Sequence, residues 1–216
     1  MKLTETELQE LAIQLSHPKG ETGIQIGEMM NFTNEHLIKK TIDLLAVTDN
    51  TRVLEVGPGN GSHVNVITQN KTVVYYGIDV SETMVIEAKK LNKDFKNAFF
   101  LLSDGETIPF EDNFFTTAFT TNTIYFWKNP QDYTNEIARV LKPSGIFSIG
   151  FIPKSTMVKI PFAKYGFTMY EPGEITRILQ KAGFEINNIY EDTELVLSNN
   201  GEQIEREIAI ITAVLK

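Results

Sequence analysis

The spacing of apolar residues divides the chain into regions of different period. From Thr4 to about His17, Leu8, Leu11, Ala12 and Leu15 recur at helical intervals, and Thr4 with Glu7 matches a capping box. A helix is expected there. The stretch SHPKGETGIQIG is punctuated by glycine and proline and is expected to interrupt it before a second helix over about 34–47. Residues 1–47 therefore read as a helical cap outside any sheet.

From Thr51 the pattern changes to short apolar runs alternating with helical periods. TRVLEVG, VVYYGID, AFFLLSD, FFTTAFTTN and IFSIGF read as strands, separated by a glycine loop with a helix starting near Ser62, by SETMVIEAKKLNKDF and by PQDYTNEIARVL. Such alternation predicts a doubly wound α/β fold, a mostly parallel sheet with helices on both faces. Seven strands are expected, the last antiparallel, because FEINNIYED and IEREIAIITAVL are joined through SNNGEQ with no helix between them. EPGEITRILQKAG should be a helix stopped by Gly183. Residues 152–170, with two prolines and little period, read as a lid-like insert in a domain covering 48–216.

Chemistry concentrates where the first strands end. In VLEVGPGNGSH, the strand runs into Gly57, Gly59 and Gly61, residues that let a chain turn sharply and let its backbone approach a ligand closely. The same glycines could form only a tight turn. Glu55 lies inside the apolar strand, where a carboxylate needs a partner and an ammonium would suit it. Asp79 ends the second strand, at the distance from the glycine loop where a carboxylate can accept from ribose hydroxyls. Ser81, just beyond, is placed to cap the next helix. Asp104 ends the third strand in LLSDGE, as an acceptor for an adenine amino group or as a turn former. Three strands thus bring one carboxylate each to one sheet edge.

VLEVGPGNG, YGIDVS, SDGETIPFEDNFF and RVLKPSGIF together resemble the Rossmann-like S-adenosylmethionine-dependent methyltransferases, in the broad methyltransferase-11 or ubiquinone-biosynthesis-like group. The resemblance covers residues 51–151. It implies methyl transfer from S-adenosylmethionine, leaving S-adenosylhomocysteine. By the same resemblance, the glycine loop with Gly57, Gly59 and Gly61, together with Glu55, serves the methionine end of the cofactor. Asp79 and Val80 meet its ribose, Ser103, Asp104, Gly105 and Glu106 its adenine, and Asn122 lies beside the sulfonium. Gly105 departs from the alanine common in that family. Tyr125, Trp127 and Tyr165 are expected to line the acceptor pocket, although aromatic residues also serve as core.

Composition narrows the reading. The net charge is −8, with no basic stripe, so a small-molecule acceptor is expected and DNA is not. There is no cysteine, and His17, His36 and His63 lack metal-ligand spacing; His63 reads as a surface helix residue. The amino terminus does not read as a secretory signal and no apolar run is long enough to span a membrane, which points to the cytoplasm. The apolar residues of 1–47 and 152–170 favour a small or medium-sized apolar or aromatic acceptor. The alternatives are an idle binding module, aminopropyl transfer and a nicotinamide-dependent oxidoreductase, the last disfavoured by Ser62 where a dinucleotide fingerprint wants Gly or Ala.

Overall fold

The computed structural model describes residues 3–45, 47–197 and 203–216. Its centre is a seven-stranded sheet ordered β3-β2-β1-β4-β5-β7-β6. The strands are β1 (Arg52–Val56), β2 (Val74–Asp79), β3 (Ala98–Leu102), β4 (Phe115–Thr121), β5 (Leu141–Phe151), β6 (Phe184–Leu197) and β7 (Gln203–Leu215). β1 to β5 pair in parallel, whereas β7 runs antiparallel to both β5 and β6. The expected fold class holds. So does the final hairpin, although residues 198–202 of its polar connection lie outside the described residues.

The helices are α1 (Glu5–Ser16), α2 (Gly20–Leu45), α3 (Asn65–Thr68), α4 (Glu82–Leu91), α5 (Pro130–Val140), α6 (Lys154–Met157) and α7 (Pro172–Lys181). Alternation along β1 assigns them to two layers. Val53 packs with Ile38, Ile42 and Leu45 of α2 and Val85 and Ala88 of α4. Leu54 faces the other way, into a core with Tyr133, Ile137 and Val140 of α5 and Ile175 and Leu179 of α7. Local signals set the helix starts. Thr4 and Glu7 form the capping box of α1, Ser81 Oγ accepts from Met84 N at 3.1 Å to open α4, and Pro130 begins α5 behind an Asn129 cap.

Two expectations about helices need correction. GETGIQIG does not interrupt anything: α2 starts at Gly20 and runs through it for 26 residues. The break is confined to residues 17–19, because the rest of that stretch packs along the protein and tertiary contact outweighs the low helix propensity of Gly23 and Gly27. The helix expected from Ser62 shrinks to the four residues of α3, preceded by turns. It is too short to supply a helix dipole to the glycine loop.

The α1–α2 junction is fastened above the sheet edge. Gly20 N donates to Thr83 Oγ1 at 3.1 Å, and Ser81 Oγ donates to Pro18 O. This ties the amino-terminal helices to the start of α4, beside the end of β2.

Candidate active site

The carboxyl ends of β1, β2, β3 and β4 open into a cavity of about 640 Å³, roofed by α2, the α1–α2 junction and residues 152–167. Gly57 and Gly59 form the turn after β1 with φ of +72° and +57°. Gly57 N donates to Ile78 O at 2.8 Å, which holds the turn against β2. A Cβ at Gly57 would stand 2.4 Å from Thr123 Cγ2, whereas one at Gly59 would meet nothing within 4 Å. Gly57 is thus required by the protein's own packing, while Gly59 keeps an open approach to its backbone.

Asp79 is buried at the end of β2. Its two carboxylate oxygens accept from Gly59 N at 3.0 Å and Ser81 N at 2.9 Å. Burial pushes its pKa up to about 6, opposed by those two amides and reinforced by the charge of Glu55. Each oxygen retains a lone pair, so the side chain organises the loop and can still accept from a ligand.

Glu55 lines the cavity and is held by two neighbours, with a lone pair left on Oε1. Tyr75 Oη donates to it at 2.5 Å, and His63 Nε2 lies 3.0 and 2.9 Å from its two oxygens. Burial and the neighbouring Glu55 push the Tyr75 phenol well above its ordinary range. His63 is therefore not a surface residue: its side chain is 13% exposed and it lines the cavity. The turns that replaced the expected helix fold the imidazole inward over β1.

At the end of β3, Ser103, Asp104, Gly105 and Glu106 all border the cavity. Asp104 Oδ1 accepts from Glu106 N at 2.8 Å and Thr107 N at 2.7 Å, and Oδ2 accepts from Thr107 Oγ1. These bonds hold its carboxyl down at about 2. The side chain shapes the turn, as its alternative reading had it, and leaves the Gly105 backbone at φ +75° on the cavity wall. Glu106 reaches across to Lys128 at 2.7 Å.

At the end of β4, Asn122 adopts φ +56° and its Oδ1 accepts from Tyr125 Oη at 2.9 Å. Tyr125 also receives Ile152 N at 2.6 Å, and its burial raises its pKa far above the ordinary phenol value. Trp127 Nε1 donates to Thr123 Oγ1 at 3.1 Å; Thr123 Oγ1 lies 2.5 Å from Thr120 Oγ1, which donates to Val56 O at 2.7 Å. Asn122, Tyr125 and Trp127 all line the cavity.

Two expected residues lie elsewhere. Gly61 is absent from the wall: a Cβ there would sit 3.1 Å from the Phe100 ring and 3.2 Å from Asn92, so this glycine lets the loop pack on α4 and β3. Tyr165 turns away from the cavity and its Oη pairs with Glu5 of α1, which also binds Lys164. Ile160, Phe162 and Phe167 form the wall from that segment instead. Its ends are joined by a bond from Lys154 N to Tyr170 O at 2.9 Å, and Thr168 N donates to Tyr125 O at 3.0 Å.

Sequence reasoning missed Arg206, a cavity residue near the start of β7 that is 5% exposed. Its register partner on β6 is Glu194. No local signal marked it: Arg206 lies between Glu205 and Glu207, and only the strand register sets it against Glu194, where the members of a buried pair require each other.

The cavity is equipped for a polar ligand with an apolar companion. Buried polar atoms without partners occur on Asn34, His63, Thr121, Asn122 and Thr176, and the first four residues belong to its wall. Unsatisfied polar groups are rare in native proteins and mark places where a ligand or water completes the bonding. Together with the open approach to Gly59 and the lone pairs left on Asp79, they suit a nucleoside carrying a charged amino acid.

A sheet ordered 3-2-1-4-5-7-6 with β7 reversed, carrying a glycine turn and an acidic strand end at its ligand edge, defines the class I methyltransferase architecture. A dinucleotide-binding sheet would end in the order 4-5-6. Comparison with known proteins agrees: the methyltransferase domain family matches residues 54–149. Over 129 residues the chain is 31% identical to the uncharacterized methyltransferase YdaC of Bacillus subtilis, covering 59% of this chain and 71% of that protein. It is 32% identical over 110 residues to demethylmenaquinone methyltransferase of Tropheryma whipplei, covering 51% of this chain and 45% of the other. A SAM-dependent methyltransferase from Aquifex aeolicus superposes with a TM-score of 0.69 at 23% identity, over 100% of both chains. The chain belongs to the S-adenosylmethionine-dependent methyltransferase family. Among the described residues no helix is long and apolar enough to cross a membrane.

Proposed function

We propose that this protein transfers a methyl group from S-adenosylmethionine to a small or medium-sized acceptor with an apolar or aromatic body, in a cytoplasmic setting. The observation that carries this reading is the single cavity running from Gly57, Gly59 and Asp79 to a wall of Ile152, Met157, Ile160, Phe162 and Phe167. Its volume of about 640 Å³ suits small molecules, which occupy pockets of roughly 300–1,000 Å³. No polymer needs to enter.

S-adenosylmethionine, when bound, supplies a methyl carbon on a sulfonium that an in-line nucleophile can take. The chain's own residues hold the reactants and exclude water. In this proposal Asp79 accepts from the ribose, the Gly57–Gly59 backbone follows the methionine portion, and Val80, Ser103 and Gly105 border the adenine. Glu55, oriented by His63 and Tyr75, keeps a lone pair on Oε1 for the ammonium of the methionine end. Asn122, fixed by Tyr125, stands at the junction of the cofactor and acceptor regions. No general base is assigned: the buried tyrosines hold their protons too tightly to serve.

The test is incubation with methyl-labelled S-adenosylmethionine and fractionated metabolite pools, following both labelled product and S-adenosylhomocysteine. Label in a small, organic-soluble product is expected. Label found only in protein or nucleic acid, or no acceptor-dependent S-adenosylhomocysteine, overturns the proposal.

A further inference from the structure

The wall of the cavity away from the glycine turn contains one strong cation. Arg206 is buried, and its guanidinium offers five N–H donors in a planar fork. Nε donates to Glu194 Oε1 at 2.7 Å, and Nη2 is shared between Glu194 Oε1 and Thr33 O, the latter at 2.8 Å. Glu194 Oε2 is taken by His36 Nδ1 at 3.0 Å. Nη1 has no hydrogen-bond partner among the described residues, although Arg206 lines the cavity.

Nη1 is not among the buried atoms left without partners, so its donors keep access to the space of the cavity that Arg206 lines. Glu194, itself held by His36, and Thr33 together take three of the five donors. The charge of Arg206 is felt at the Tyr125 phenol, which is hydrogen-bonded to Asn122 at the end of β4. The two free donors on Nη1 thus belong to a residue of the cavity wall, within electrostatic reach of Tyr125.

We propose that Arg206 anchors the acceptor through an anionic oxygen, so that the substrate class is an apolar or aromatic acid, carrying a carboxylate or ionised hydroxyl, rather than a neutral hydrocarbon or an amine. This inference rests on the acceptor assignment above and refines it. Arg206 is a positioning group: it orients the acceptor while its own proton count stays fixed. The apolar wall holds the body of the molecule, and the buried guanidinium selects the charge.

Calorimetric titration of the full chain, with and without saturating S-adenosylhomocysteine, tests it with 2-naphthoate, its neutral isostere 2-naphthamide, and 2-naphthol above and below its ionisation. Naphthoate is expected to bind at least tenfold more tightly than naphthamide, and naphthol to tighten on ionising if a phenolate is the better mimic. Arg206→Met alone would strand the Glu194 charge, so the informative variant is Arg206→Met with Glu194→Gln. It should fold, bind S-adenosylhomocysteine within twofold of the parent, and lose the preference for the anions. Equal binding of naphthoate and naphthamide, no binding of any probe, or a preference that survives the double substitution overturns the anchor. Failure of S-adenosylhomocysteine itself to bind would instead strike the proposed function, and the titrations without it separate the two failures.

Discussion

The two regions of the cavity are built by different means. Around Gly57, Gly59 and Asp79 the wall is largely backbone, each turn fixed by a bond to the neighbouring strand: Gly57 to Ile78, Gly59 and Ser81 to Asp79. The opposite region is made of side chains from α2, residues 152–167 and Arg206, segments far apart in sequence. A backbone wall tolerates almost no change of geometry, whereas a side-chain wall can be recut residue by residue. On the proposed function, the first region would hold the cofactor and the second the acceptor.

The contrast can be broken most directly at Gly57. Gly57→Val would force a branched side chain into Thr123 at a left-handed φ, and should cost about 3 kcal/mol of stability or more and abolish S-adenosylhomocysteine binding. Thermal unfolding and calorimetry measure both, and a variant with native values would remove the distinction between the regions. Next in size, Asp79→Ala should weaken S-adenosylhomocysteine binding by about 1.5–3 kcal/mol while circular dichroism stays native. An unchanged dissociation constant would reduce Asp79 to a loop fastener.

Asp79 also predicts a pH dependence. Its folded pKa of about 6 stands above the ordinary 3.8, so in the free protein the folded state holds the proton that the unfolded chain has released, and this group's contribution to stability falls as pH rises from about 4 to 6. Ligand binding runs the other way. Accepting from a diol favours the carboxylate, so affinity for S-adenosylhomocysteine should fall about tenfold between pH 7 and pH 5, and Asp79→Asn should flatten the profile. The same slope in both proteins would assign it to another group.

In the region proposed for the acceptor, Phe162→Ala should raise the acceptor KM about fivefold with cofactor affinity unchanged, since it removes apolar cavity wall. Equal effects on both ligands would show one undivided site. The smallest effect is expected at Glu5→Gln, which weakens the exposed clasp to Lys164 and Tyr165. Amide exchange over 154–170 should accelerate about twofold, as expected for local opening, and unchanged exchange would mean the segment is held by its apolar side alone.

What the sequence made legible follows the same division. The glycine turn, the acidic end of β2 and the helix caps are local features, each decided within a few residues, and they were readable. The partner of Glu55 was not, because His63 comes inward only when the residues after Gly61 form turns instead of a helix. Tyr165 was assigned to the pocket from composition, yet its direction depends on Glu5, 160 positions earlier. Arg206 escaped notice because its meaning lies in a cross-strand partner and in a cavity assembled by remote segments. Glycine content predicted a break in α2 that tertiary packing prevents.

The bond from Lys154 N to Tyr170 O has a wider consequence. It brings the two ends of that segment together at the sheet edge, so the residues between them form a closed appendage whose length is nearly independent of the framework below. Doubling such a loop costs only about 0.6 kcal/mol in closure entropy. A change of length at its exposed positions, such as Val158 and Lys159, can therefore be absorbed without moving β5 or α7. On the proposed function, a library randomised within 155–169 should redirect acceptor choice while leaving S-adenosylhomocysteine affinity where it was.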